Sequence, residues 1–169
     1  LEATKRRVDA MAFVHEEIYT EPRMDGVRLG AFLSRFAGEI QQAEGGLGRR
    51  RIEVDAHDIR LDIQCAVAIG IITAEVVANA CRHAFVGRSG GSIWVHARAE
   101  EGRTTIEVID DGVGIPPGLE AGPGLGLTLV RSLASQLNAT VLLERRETGG
   151  TRFALSVPAR SGFAGQRAC

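Results

Sequence analysis

The helix predicted over residues 69–85 carries four polar side chains in an otherwise apolar segment: Glu75, Asn79, Arg82 and His83. Because residues three and four apart share a helix face, this spacing predicts a single polar stripe. A carboxylate can position or deprotonate a nucleophile, an amide oxygen can ligate a hard cation, and basic groups can bind phosphate. The stripe therefore suits Mg-nucleotide chemistry, although a surface helix with scattered polar residues is the simpler alternative.

Two glycine motifs follow this helix in the chain. The segment 110–114, Asp-Asp-Gly-Val-Gly, ends a predicted strand, where an acidic side chain can accept a hydrogen bond from an exocyclic amine and glycine lets a flat ring approach the backbone. An ordinary turn without a binding role can have the same residue types. The triplet Gly122, Gly124 and Gly126 leads into a helix N-terminus, which can bind phosphate. Leu127 breaks the dinucleotide pattern GxGxxG and no GxxxxGK[ST] motif occurs, which argues against Rossmann and P-loop sites.

The order of these motifs is more specific than any motif alone. The polar stripe precedes the acid-glycine turn, the glycine triplet follows, and Gly149-Gly150-Thr151 precedes the last predicted strand. In this order, and over about residues 52–158, the chain resembles the ATP-binding domain shared by gyrase, MutL, heat-shock chaperones and sensor histidine kinases. The end of the polar helix, NACRHAF, is most similar to the histidine kinases.

The resemblance implies a role in Mg-ATP binding for each motif. Asn79 would ligate Mg, Glu75 would orient or activate the nucleophile, and Asp110 would bind the adenine amino group. Arg82 and His83 would contact the phosphates. Gly112 and Gly114 would line the base pocket, and Thr151 would also contact the base. The lid and the amides that bind phosphate would come from Gly122, Gly124, Gly126 and Leu127. A structural histidine at 83 and an ordinary strand threonine at 151 are the alternatives.

Residues 1–45 are predicted to form two helices and a linker. The first helix covers residues 2–19, and Asp25 can cap a second helix that runs to about Ala43. The sequence RVDAMAFVHEEIY resembles the second dimerisation helix of a histidine-kinase subfamily, which carries its phosphoacceptor on the preceding helix. That acceptor is therefore expected to be absent from this chain, and His15, on the apolar stripe, is expected to pack rather than to accept phosphate.

Composition sets the outer limits. The chain has 169 residues, 44% hydrophobic and 24% charged, and a net charge of -1, which is typical of a globular protein and gives no basic excess for nucleic acid. Three cysteines without paired spacing are expected to be reduced thiols in a cytoplasmic protein. The apolar run 65–74 is too short to span a bilayer, so no membrane segment is expected.

The fold class follows from the order of the elements. Paired strands with intervening helices predict a two-layer α/β sandwich, with a mixed sheet, helices on one face and a preceding helical segment. Residues 52–61 are expected to form a strand or a short hairpin. The predicted organisation is a dimerisation remnant and linker over 1–45, an ATP-binding catalytic domain over 46–158 and a flexible tail over 159–169.

The leading interpretation is the catalytic domain of a two-component sensor histidine kinase that uses Mg-ATP. The resemblance implies homodimerisation through the N-terminal helices and a response-regulator partner. Two alternatives share the fold: an anti-sigma-factor serine kinase, and a phosphotransfer scaffold that does not bind ATP.

Overall fold

The computed structural model describes residues 26–43, 49–116, 125–158 and 167–168. The predicted helix over residues 2–19, Asp25 and the loop 117–124 lie outside these ranges. In chain order the elements are β1 (Val27–Arg28), α1 (Leu29–Ala43), β2 (Arg49–Ala56), β3 (Arg60–Leu61), α2 (Ile63–His83), β4 (Gly90–Glu100), β5 (Arg103–Asp110), α3 (Leu125–Gln136), β6 (Thr140–Arg145), β7 (Thr151–Pro158) and β8 (Arg167–Ala168).

The main sheet has five strands in the order β2-β4-β5-β7-β6, and the helices pack on one of its faces. β2 pairs with β4 in parallel and the other neighbours are antiparallel, so the predicted mixed sheet is confirmed. The hairpin suggested for residues 52–61 is wrong, because β3 pairs with β1 and β8 in a second, small sheet. Parallel neighbours need a crossover connection, and α2 supplies it between β2 and β4.

Alternating side chains give the main sheet two different faces. Ile93 and Val95 of β4 and Ile106 of β5 are buried towards the helices, whereas the residues between them are half-buried on the outer face. On that outer face Arg152 forms ion pairs across the strands with Glu107 and Glu144. Charged side chains on this outer face can stay hydrated, so the core lies on the helical side of the sheet.

Helix α2 is the central element of that core. The carboxylate of Asp62 caps its first turn by accepting a hydrogen bond of 2.9 Å from the backbone N–H of Cys65. By length and composition this helix could cross a membrane, but 72% of its most apolar 18-residue stretch is buried inside the protein. It contacts α3 and β5. We therefore interpret it as a core helix.

The prediction of reduced thiols is confirmed for only one of the two cysteines in the described ranges. Cys81 is a buried thiol, whereas Cys65 is disulfide-bonded. Sequence spacing does not reveal this, because a disulfide depends on which cysteines the fold brings within about 7 Å of one another.

Candidate functional site

The carboxylate of Asp110 is the most tightly held polar group of the candidate site. Asp110 is the last residue of β5 and only 5% exposed. Its Oδ1 accepts hydrogen bonds from the backbone N–H groups of Gly112 at 2.9 Å and Thr151 at 3.2 Å. Burial raises the pKa of the Asp110 carboxyl above its ordinary 3.8, while the bonds from Gly112 and from both the backbone and side chain of Thr151 oppose that shift.

Two glycines allow the backbone to pass close to this carboxylate. A Cβ at Gly112 would lie 2.2 Å from the carbonyl oxygen of Ala84, and a Cβ at Gly150 would lie 1.9 Å from that of Asp110. Gly150 also has a φ of +87°, a conformation that favours glycine. Both positions therefore need glycine, and the acid-glycine turn meets the Gly149-Gly150-Thr151 segment at Asp110.

Gly114 extends the same surface towards β6. Its φ is +76°, and a Cβ there would lie 3.0 Å from the carbonyl oxygen of Gly150 and 3.3 Å from the Cγ atom of Arg145. The predicted base-pocket residues Gly112 and Gly114 are thus brought together with Thr151 around the end of β5.

The predicted polar stripe of α2 emerges from the core towards the C-terminal end of the helix. Glu75 is buried, Asn79 is half-buried, and Arg82 and His83 are exposed. The guanidinium of Arg82 donates to the Asn79 Oδ1 atom at 2.8 Å and to the carbonyl oxygen of Ala78 at 3.1 Å. The amide oxygen predicted to ligate a cation is therefore accessible from the surface and already serves as an acceptor.

The acid-glycine turn lies against the end of this stripe. The backbone N–H of Val113 donates to the carbonyl oxygen of Ala84 at 2.8 Å, and Ala84 directly follows His83. Because a helix rises about 1.5 Å per residue, Asn79 is only about 7.5 Å from Ala84 along the axis. The structure thus brings the stripe and the turn into one region.

The glycine triplet is described only in part. Gly122 and Gly124 lie outside the described residues, whereas Gly126 and Leu127 belong to the first turn of α3, which packs against α2. Leu127 is half-buried. Their predicted contacts with a lid and with phosphate stay predictions.

Sequence reasoning missed several residues that hold the acid-glycine turn in place. The Oδ1 atom of Asp111 accepts a hydrogen bond of 2.9 Å from the backbone N–H of Ser92, so the second aspartate anchors the turn to β4. Three arginines donate to backbone carbonyl oxygens of the turn: Arg88 to Asp111, Arg145 to Ile115 and Arg146 to Asp110. Only the position of Arg145 and Arg146, just before the closing Gly-Gly-Thr motif, could have drawn attention to them.

The arrangement is suited to recognition of a flat base beside a phosphorylated group. A carboxylate at a glycine-lined turn offers an acceptor, and the nearby helix end offers an amide oxygen and basic side chains. Within the described ranges, no group of three or more His, Cys, Asp or Glu residues could hold a metal ion.

Comparison with known families identifies the domain. Residues 65–161 match the family of histidine kinase-, DNA gyrase B- and HSP90-like ATPases, and residues 1–44 match a histidine kinase family. The first match covers more than half of the chain, so the chain belongs to this ATPase family.

Individual relatives agree with this assignment. Blue-light-activated histidine kinase 2 of Erythrobacter litoralis is 31% identical over 157 residues, which are 88% of this chain and 44% of the relative. Sensor histidine kinase PdtaS of Mycobacterium tuberculosis is 35% identical over 102 residues, which are 58% of this chain and 20% of the relative. The chain thus spans less than half the length of these curated relatives.

A solved structure is similar over nearly the whole chain. The histidine kinase domain of the blue-light-activated histidine kinase EL346 from Erythrobacter litoralis has a TM-score of 0.83 and 29% identity, over 94% of this chain and 75% of that one. This similarity agrees with the α/β sandwich described above.

Proposed function

We propose that this chain is the ATP-binding catalytic part of a two-component sensor histidine kinase. It would transfer the γ-phosphoryl group of Mg-ATP to a histidine of the dimerisation domain, for relay to a response regulator. The observation that carries the proposal is the buried carboxylate of Asp110, held by the N–H groups of Gly112 and Thr151 at a turn that packs against the end of the polar stripe on α2.

The chain's own residues would divide the work as follows. Asp110 accepts a hydrogen bond from the adenine amine, and the glycines at 112 and 114 leave room for the ring. Asn79 offers its amide oxygen to Mg, and Mg when bound neutralises charge on the phosphates. Glu75, buried on the same stripe, orients or deprotonates the attacking histidine nitrogen. Arg82 and His83, exposed at the helix end, bind phosphate oxygens.

The remaining parts of the proposal rest on the N-terminal segment. The match of residues 1–44 to a histidine kinase family favours a kinase with a dimerisation helix over an anti-sigma-factor kinase or a scaffold of the same fold. We infer that the full-length protein forms a homodimer through these helices, acts in the cytoplasm and phosphorylates a response regulator.

A nucleotide titration with and without Mg tests the proposal. The chain should bind ATP, and Mg should tighten binding. Asn79→Ala should remove most of the Mg dependence without unfolding the protein, because Asn79 is half-buried on the stripe rather than in the core. Ala80→Ser, beside it on the helix, is a control for small changes of helix stability. Unchanged Mg dependence in folded Asn79→Ala would remove Asn79 from the metal site, and no ATP binding at all would overturn the function.

Phosphoryl transfer needs a separate measurement. Incubation with γ-labelled ATP and a supplied helix that carries a phosphoacceptor histidine should give acid-labile label on that helix, and Glu75→Gln should reduce the rate. Label transferred to a serine of an added protein would instead favour the serine-kinase alternative.

A further inference from the structure

Arg146 joins the two segments that hold the Asp110 carboxylate. Its Nη1 atom donates to the carbonyl oxygen of Asp110 at 3.0 Å. Its backbone N–H donates to the carbonyl oxygen of Gly150 at 3.0 Å, and its own carbonyl oxygen accepts from the N–H of Gly149 at 3.1 Å. One residue is therefore bonded both to the end of β5 and to the glycine turn that precedes Thr151.

These bonds lie where β5 loses its pairing with β7, although Asp110 still pairs with Ile93 of β4. The paired register of β5 with β7 ends at Ile109 and Arg152, so the backbone of Asp110 has no register partner on β7. Thr151 instead donates its N–H to the Asp110 side chain. A half-buried carbonyl oxygen beyond the β5–β7 ladder needs another donor, and the guanidinium of Arg146 supplies one.

We propose that Arg146 is a positioning residue for nucleotide recognition. By fixing the backbone of Asp110 against the turn at 149–151, it determines the position of the carboxylate. It thereby controls both the affinity for adenine and the discrimination against guanine. This inference rests on the proposed function, because it assumes that Asp110 receives the base.

The neighbouring arginine does not duplicate this role. Arg145 donates to the carbonyl oxygen of Ile115 at 3.1 Å, beyond the carboxylate, and it is exposed whereas Arg146 is half-buried. A lysine at 146 would keep a donor but lose the planar fork of the guanidinium, so it should replace Arg146 only in part.

Arg103 offers a matched control at the opposite end of β5. Its Nη2 atom donates to the carbonyl oxygen of Ser156 at 3.0 Å and its Nε atom to the Ser156 hydroxyl at 2.7 Å. Arg103→Gln therefore removes an arginine-to-carbonyl bond of the same kind, between β5 and β7, at the end of β5 that is far from the carboxylate.

The experiment compares ATP and GTP dissociation constants and melting temperatures in the whole chain. Loss of one charge-assisted bond that positions the acceptor corresponds to about a tenfold rise in the ATP dissociation constant. Arg146→Gln should show that rise and a smaller ATP/GTP preference, Arg146→Lys should be intermediate, and Arg103→Gln should keep the wild-type affinity and preference even if it melts earlier.

The possible outcomes separate this inference from the proposed function. If the wild-type chain fails to bind ATP, or binds ATP and GTP equally, the proposed role of Asp110 fails and the inference fails with it. If the wild type prefers ATP and Arg146→Gln matches Arg103→Gln in affinity and preference, only the inference is overturned. Should Arg146→Gln not fold, Arg146→Lys decides, because wild-type values for both quantities in that variant would contradict a positioning role.

Discussion

At the scale of single residues, burial disfavours the ionised form of the Asp110 carboxyl, which is the form that the proposed contact with the base uses. Its side chain is buried, and burial raises its pKa although two backbone N–H groups and the Thr151 side chain oppose the shift. A structural carboxylate would be expected to gain more from its partners than it loses by burial. An ionised carboxylate can accept about four hydrogen bonds, so Asp110 can still accept one from a ligand donor.

Asp110→Asn should therefore stabilise the fold while it weakens ATP binding. The amide oxygen of asparagine can still accept from Gly112 and Thr151, and the neutral side chain avoids the cost of burying a charge. The amide nitrogen would then face the adenine amine, leaving two donors opposed, so ATP affinity should fall at least about tenfold. Calorimetric titration and thermal unfolding measure the two effects.

The neighbouring aspartate is the control for this substitution. In Asp111→Asn the amide oxygen can still accept from the N–H of Ser92, so both ATP affinity and melting temperature should stay close to wild type. A folded Asp110→Asn protein with wild-type ATP affinity would show that the carboxylate does not bind the base.

The pH dependence of stability has a definite sign. Because the folded-state pKa of Asp110 is raised above 3.8, the folded state binds the proton more tightly than the unfolded chain does. The free energy of unfolding contributed by this group is therefore highest when it is protonated and falls as the pH rises from about 3.8 through the raised folded-state pKa. Urea unfolding across pH should show Asp110→Asn gaining on the wild type through that window and keeping a constant advantage above it. A difference that does not change with pH would contradict the raised pKa.

At the scale of elements, the site depends on a close contact between the acid-glycine turn and the end of α2. Gly112 packs directly on the carbonyl group of Ala84, and Val113 donates to the same carbonyl oxygen. This contact fixes the distance between the acid-glycine turn and the polar stripe of α2. A displacement at this contact would move the acid-glycine turn away from the polar stripe of α2, although no polar side chain of either would have been changed.

Gly112→Ala should consequently abolish most nucleotide binding. The added Cβ would meet the Ala84 carbonyl oxygen at 2.2 Å, so either the turn or the helix end must move. Gly38→Ala in α1 is the control, because a Cβ there meets nothing within 4 Å, and alanine is favoured over glycine inside a helix by about 1 kcal/mol. The control should therefore be slightly stabilised and bind ATP normally. Normal binding by Gly112→Ala, measured by the same titration, would mean that the contact is not needed.

The sequence predicts these elements well because each carries a local signal. Apolar spacing and the Asp62 cap identify α2, and alternation identifies β4 and β5 with their turn at Glu101 and Gly102, both of positive φ. The mixed sheet and its face of helices follow from the order of such segments. The candidate site residues on α2 and at the end of β5 are likewise visible, because their types and spacing differ from those of a core.

Local sequence patterns do not show which distant segments of the chain pair with each other. The pairing of β2 with β4, and of β3 with β1 and β8, depends on where α2 returns the chain rather than on alternation within each strand. For the same reason the sequence does not predict the hydrogen bond of Arg146, because its partner Asp110 lies 36 residues away in the chain. An arginine before a turn has no local feature that marks it as the donor for a distant carbonyl group.

At the scale of the whole molecule, the core does not stop at the boundary predicted between residues 45 and 46. Leu29, Phe32 and Leu33 of α1 belong to the same hydrophobic cluster as Ile69 of α2 and Ile93 of β4. Helix α1 also contacts β2, the edge strand of the main sheet. We therefore expect α1 to be part of the cooperative unit that carries the site.

A single tryptophan makes this expectation testable. Trp94 lies on β4 and is half-buried on the outer face of the sheet, so its fluorescence reports on the sheet rather than on α1. Phe32 is 1% exposed, and replacing a buried phenylalanine by alanine costs about 3–5 kcal/mol. If α1 and the sheet unfold together, Phe32→Ala should move the Trp94 transition in urea by the whole of that amount.

The matched control is Ser34→Ala, two residues further along the same helix at an exposed position, which should leave the transition within about 0.5 kcal/mol of wild type. An unchanged Trp94 transition in Phe32→Ala, together with early loss of helical circular dichroism, would instead show that α1 unfolds independently. In that case the boundary at 45 and 46 would be the correct one. The expected result has a functional consequence: a change in α1 would alter the stability of the nucleotide site through the shared core, without any contact between α1 and the nucleotide.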